Sequence, residues 1–191
     1  MQYFIGIVPP DEYRERIVAF QKRWEGNGLC DVVEPHITVK AQSGLATDMA
    51  WLPIIRTICA SFPRFRVSIS VPASFDGVVT YLSVDSDRIR ELHQRLVDAV
   101  SPAPELIAEY RELAGYVPHL TLGQTHWGMT EAELSEMKVS ALGGLAPFPT
   151  FEVEYVRVYR KIDKHAYAPY EDIKLMDESG FSGLPAAQME F

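Results

Sequence analysis

Cysteine is scarce: Cys30 and Cys59 are the two in 191 residues. They form no Cys-x-x-Cys pair and have no histidines at ligand spacing beside them, so a zinc site lacks thiolates. A disulfide framework is unnecessary in a chain of this size. Long apolar runs are also missing, and nothing approaches the roughly 18 residues of a membrane span. The opening Met1-Gln2-Tyr3-Phe4-Ile5-Gly6-Ile7-Val8 lacks the basic segment of a signal peptide. The expectation is a cytoplasmic protein with no membrane partner. Positive charge is in short supply, with 18 Lys and Arg against 26 Asp and Glu, a net charge of −8 and a pI near 5.1. Such a field disfavours long duplex nucleic acid, whose binding rests on neutralising many phosphates. A small phosphate or a strand end is still within reach where a few donors gather locally. Neither Gly-x-x-x-x-Gly-Lys nor Gly-x-Gly-x-x-Gly occurs, so no nucleotide cofactor is expected.

Hydrophobic residues are plentiful, at 47%, with 23% charged, the balance of a chain that folds around a core. Tyr3 to Val8 reads as a buried strand, and Pro10-Asp11-Glu12 opens a helix that Gly26-Asn27-Gly28 stops. A strand at His36 to Ala41, a helix within Asp48 to Ser61 and an alternating strand from Phe65 to Val71 follow. The order then repeats. Val78 to Val84 is a strand, Asp85-Ser86-Asp87 caps a helix, and Ser101 to Val117 is a loop with some helical potential near Leu106. His119 to Gln124 is a strand, and Thr130-Glu131-Ala132-Glu133 has the pattern of a capping box. Phe151 to Tyr159 alternates as one strand, and a last apolar stretch spans Ile173 to Met176. From residue 179 the tail reads as loosely ordered. The expected fold is α+β: two pseudo-symmetric lobes, about 1–75 and 76–178, each strand–helix–strand–helix–strand, packed as one bilobal domain with a cleft between.

The third element of each half carries the same words. Pro35-His36-Ile37-Thr38-Val39 returns as Pro118-His119-Leu120-Thr121-Leu122. On a strand alternate side chains share a face, so each histidine lies with its threonine while the aliphatics point to a core. One such segment is more often a strand with a hydrogen-bonded histidine than a site. Two at matched places in a repeat point to a shared cleft holding both imidazoles and both hydroxyls. Lys40 shares the His36 face by alternation and reads equally well as a phosphate guide or an exposed strand end, with Gln124 its counterpart. Tyr3, Phe4 and Tyr81 read as core before base-stacking surfaces. His93, His126 and His165 read as ordinary, and Arg157-Val158-Tyr159-Arg160-Lys161 as a solvated strand end or a basic rim.

Over nearly the whole chain this pattern resembles the 2H phosphoesterase superfamily, which includes 2′–5′ RNA ligase-like proteins and cyclic nucleotide phosphodiesterases. It is most similar to the small bacterial phosphoesterase branch. The resemblance implies a metal-free cleft for a 2′,3′-cyclic phosphate or 2′–5′ phosphodiester of a nucleotide or RNA end. It implies His36 as proton donor, His119 as acceptor, and Thr38 and Thr121 on the substrate. Some RNA ligase-like members carry an arginine shortly after the second motif, where this chain has Gly123-Gln124-Thr125-His126. The residues themselves permit the chemistry: imidazoles titrate near neutrality and can serve as base or acid, and hydroxyls can hold non-bridging oxygens. The alternative is a module that binds a nucleotide or RNA end without turnover.

Overall fold

In a computed structural model, which describes residues 2–177, eight strands form one antiparallel sheet. In chain order the elements are β1 (Tyr3–Ile7), α1 (Asp11–Gln21), β2 (Ile37–Lys40), α2 (Leu52–Ser61), β3 (Phe65–Phe75) and β4 (Val79–Asp85). Then come α3 (Asp87–Val100), α4 (Pro104–Glu109), β5 (His119–Gln124), α5 (Glu131–Gly144), β6 (Thr150–Val153), β7 (Tyr155–Lys161) and β8 (Tyr167–Lys174). The α+β class and the twofold plan are those expected from the sequence.

Local chemistry sets most boundaries. α2 starts at Leu52, not near Asp48, with Pro53 in its first turn, where a missing N–H costs nothing. Thr130 and Glu133 close a reciprocal capping box on α5. Ser86 stands at the N-cap of α3 but does not cap it; its hydroxyl donates to the Arg66 carbonyl. The expected loop at 101–117 holds a short helix, α4. The tail from residue 179 lies outside the described residues.

The strand order is β6-β3-β4-β5-β2-β1-β7-β8. It is symmetric about the β5–β2 junction, so β2 answers β5, β1 answers β4 and β3 answers β7. The third strand of the first unit therefore lies beside β4 of the second, and β7 lies beside β1 of the first. The helices cross over as well: α1 packs on β5, and α3 on β2. Tyr13 and Arg16 of α1 donate to the carbonyls of Leu145 and Ala146 at the end of α5. Each unit thus covers the other's histidine strand.

The run Phe151 to Tyr159 is not one strand. β6 pairs with β3 at one edge of the sheet, β7 pairs with β1 near the other, and Glu154 alone lies between them. A single residue can join those places only if the sheet curls until its edges meet. They do meet there, where Met176 exchanges backbone hydrogen bonds with Phe62 and Arg64. The helix-covered face holds Ile37, Val39, Leu120 and Leu122, all with 0% exposure. No helix among the described residues is long and apolar enough to cross a membrane.

Candidate active site

The two histidine strands touch at one pair, Ile37 opposite Leu120. Continuing that antiparallel register by a residue sets Thr38 across from His119 and His36 across from Thr121. Cross-strand neighbours of this kind hold their Cβ atoms about 5 Å apart. Beyond the junction the strands diverge, and the carbonyls that would have bonded across it are taken by side chains. Gln21 and Asn27 donate to Leu122, His93 to Val39, and Tyr116 to Thr38. A groove opens over the junction because its backbone is satisfied from elsewhere.

The two histidines are held alike. His36 Nδ1 lies 2.8 Å from the Glu34 carbonyl, and His119 Nδ1 lies 2.6 Å from the Val117 carbonyl, each across a proline. A carbonyl only accepts, so Nδ1 carries the proton and Nε2 is left free to take or give one. Stacked aromatic pairs back the rings: Phe4 on Tyr159 behind His36, and Phe75 on Tyr81 behind His119. Phe4 and Tyr81 thus support the imidazoles, while Tyr3 packs against Trp51 and Tyr170. Gly6 makes room for the first ring, since a Cβ there would lie 3.3 Å from His36 Cδ2 and 3.2 Å from the Ile37 carbonyl. Gly6→Val is therefore expected to cost about 1–3 kcal/mol by overpacking, and turnover should fall by about 10²-fold as His36 shifts. Denaturant titration and steady-state kinetics on the purified variant check both figures.

Burial pushes His36 down to about 4, with the Glu34 carbonyl opposing and the His119 charge reinforcing the shift. Burial also lowers His119, against the Val117 carbonyl. The Glu34 carboxylate is held by Arg157 at 2.8 Å, Tyr159 Oη at 3.0 Å and Arg14 at 3.3 Å. The basic run does not offer a free rim: Arg157 also pairs with Asp172, Arg160 lies over the Tyr170 ring, and Lys161 donates to Gln2. Lys40 is neither a phosphate guide nor an exposed strand end. It is fully buried, 2.7 Å from Glu112, and also donates to Ser43 and the Ala41 carbonyl.

Glu112 belongs to the 101–117 segment, which forms one wall of the groove. Its backbone is left-handed at Arg111 (φ 52°) and Leu113 (φ 55°), conformations that cost a side-chain-bearing residue roughly 1–2 kcal/mol each. The segment is pinned on both sides of that turn. Glu112 accepts from Lys40, Ser43 and the Ala41 amide, and the Leu113 amide donates to His93 Nε2. His93 is buried and stacked on Tyr116 at 3.8 Å, one nitrogen donating and the other accepting, an arrangement only the neutral ring can make. It is a wall tie, not an ordinary helix residue. Its pKa is lowered by burial, against the Val39 carbonyl. The unfolded chain, titrating near 6.5, binds the extra proton first. Stability is accordingly expected to be full above about pH 6.5 and to decline as pH falls toward the folded value. Urea midpoints at pH 7.5 and 5 should differ, and less so in His93→Gln.

The groove has two compartments that share Thr38, Ala41, Tyr110, Thr121 and Gln124. On the His36 side a cavity of about 250 Å³ is lined by Phe4, Val33, Gln42, Trp127 and Tyr167. On the His119 side one of about 340 Å³ is lined by Phe75, Val79, Arg111, Tyr116 and Val117. Both motif histidines and both threonines line this groove, and His126 and His165 do not. Tyr110, Arg111, Trp127 and Tyr167 were invisible in the sequence because no local repeat marks them. No group of three or more metal-ligating side chains occurs among the described residues.

A family model described as the 2′–5′ RNA ligase superfamily matches residues 9–164. The chain belongs to that superfamily. Solved structures share the fold. TT0787 of Thermus thermophilus is 17% identical with a TM-score of 0.64, over 93% of this chain and 100% of its own. E. coli LigT complexed with NADP+ is 15% identical (TM-score 0.59, 92% and 97% covered), and LigT with 3′-AMP is 16% identical (0.58, 92% and 98%). No curated protein matches. The superfamily supports enzyme status of the 2H phosphoesterase and ligase type.

Proposed function

We propose that this superfamily member is a metal-independent cytoplasmic phosphoesterase that opens a 2′,3′-cyclic phosphate, or a 2′–5′ phosphodiester, at a nucleotide or RNA end. The observation that carries the reading is the matched tethering of His36 and His119, which leaves two free Nε2 atoms beside two hydroxyls in one groove. In hydrolysis His119 Nε2 takes a proton from water as its oxygen bonds to phosphorus. His36 Nε2 gives a proton to the ribose oxygen as its bond to phosphorus breaks, leaving a phosphomonoester. Thr38 and Thr121 donate to the non-bridging oxygens, where charge accumulates. With a 5′-hydroxyl in place of water, the same transfers in the same sense join a cyclic end to it as a phosphodiester. The LigT structures with 3′-AMP, ATP and phosphate favour a nucleotide phosphate as ligand.

The test is turnover of 2′,3′-cyclic nucleotides and 2′–5′-linked dinucleotides by protein dialysed against EDTA. Full activity is expected, because water activation is assigned to an imidazole and not to a Lewis acid. Loss on chelation with recovery on adding a divalent ion would overturn the assignment.

A further inference from the structure

The compartments flanking the two threonines differ in charge: Glu34, itself paired with Arg14 and Arg157, lines the His36 side, and Arg111 and Glu112 line the His119 side. Among the described residues, the Arg111 side chain makes no hydrogen bond, ion pair or ring contact. Six other arginines are paired with acids: Arg14 and Arg157 on Glu34, Arg56 on Glu171, Arg64 on Asp177, Arg88 and Arg95 on Glu91. In a chain with 26 acids against 18 bases, this exposed guanidinium stands at a groove wall with no acid spent on it. Apart from Glu112, its surroundings on the His119 side carry no acid: Phe75, Val79, Tyr116 and Val117 share the lining. The nearest acid in sequence, Glu112, is turned inward and consumed by Lys40, Ser43 and Ala41. Arg111 and Glu112 both line the cavity, but the Glu112 carboxylate is bonded to Lys40, Ser43 and the Ala41 amide and not to the guanidinium.

Resting on the phosphoesterase reading, we propose that Arg111 forms a second anion-binding position in the groove, which selects substrates carrying a phosphate beyond the one being opened. The phosphate under attack sits between Thr38 and Thr121, which line both compartments. Arg111 lines the His119 compartment and not the His36 one, so it meets the group that extends past His119. A guanidinium with all its donors unspent can grip a phosphate through two parallel hydrogen bonds. The His36 compartment has no lysine or arginine in its lining and offers the rings of Phe4, Trp127 and Tyr167. Substrates of the form phosphate–nucleoside–cyclic phosphate satisfy both requirements.

The experiment compares adenosine 2′,3′-cyclic phosphate with its 5′-phosphorylated form, using the full chain and Arg111→Asn, asparagine being at ease in a left-handed backbone. Wild type should favour the 5′-phosphorylated substrate by about tenfold or more in kcat/KM, chiefly through KM. Arg111→Asn should erase that preference and leave the unphosphorylated substrate unchanged, while Arg111→Lys retains part of it. Equal loss on both substrates, expressed in kcat, would move Arg111 to the scissile phosphate and overturn the proposal, as would a preference that survives the substitution. If neither compound turns over, the phosphoesterase reading fails on its own. Titration calorimetry of adenosine 3′,5′-bisphosphate against adenosine 3′-phosphate then still decides. A bisphosphate preference lost in Arg111→Asn supports the second anion position, and equal affinities refute it.

Discussion

Alanine at either His36 or His119 is expected to lower turnover of a cyclic phosphate by about 10²- to 10⁴-fold, the usual worth of a general acid or base. The two groups act in one transition state, so the double variant should be far less damaged than the product of the single effects. Folding should change by only about 1 kcal/mol, because both side chains face the groove rather than the helix-covered core. The pH profile carries more information. In kcat/KM the base must be deprotonated and the acid protonated in the free enzyme. With one imidazole pushed to about 4 and the other also below its ordinary value, the bell should peak on the acid side of neutrality. Its two limbs belong to the coupled pair. The variants separate them. If His36 is the acid, His36→Ala loses the alkaline limb and His119→Ala the acid limb; exchanged limbs would exchange the roles. Wild-type turnover in both variants would falsify the catalytic assignment.

The largest effect on stability is expected at Lys40 and Glu112, which have side-chain exposures of 0% and 1%. Glu112→Leu strands a buried ammonium and removes the acceptor of the Ala41 amide; Lys40→Met strands a buried carboxylate. Each should cost about 3–5 kcal/mol. The double substitution should cost much less than the two added together, because no unpaired charge is left inside. Urea denaturation of the four proteins gives the coupling directly. Turnover of the folded fraction should fall as well, since Glu112 anchors the wall that closes the His119 compartment. If the single variants unfold at the wild-type midpoint, the pair contributes nothing and the wall is held by other contacts.

The histidine pair was legible because its signal is local and doubled: five residues repeated at equal places in two units. Lys40 was not legible. Alternation put it correctly on the His36 face, but its partner lies 72 residues away in a segment with no periodicity of its own. The same distance problem hid His93, whose role depends on the Leu113 amide arriving at its second nitrogen. At Glu154 the pattern misled outright. Phe151, Val153 and Tyr155 alternate without a break, yet the chain passes from one sheet edge to the other within that run. Periodicity reports which face a residue shows and says nothing about which strand will sit beside it.

The exchange of third strands and covering helices has a consequence for how such a chain could arise. One unit alone would leave its histidine strand short of cover, because α3 of the second unit packs on β2, and α1 of the first unit shares the cover of β5 with α5. A lone ancestor of that length could bury itself only by trading β3 with a second copy, as a domain-swapped homodimer whose axis ran through the Ile37–Leu120 contact. Its active site would have held two identical histidines at the dimer seam. In this chain the two halves are joined and differ beside the histidines: Glu34 at one, Val117 at the other, and an unpaired arginine on one side alone. A symmetric site could only treat its two neighbours alike; this one can tell left from right.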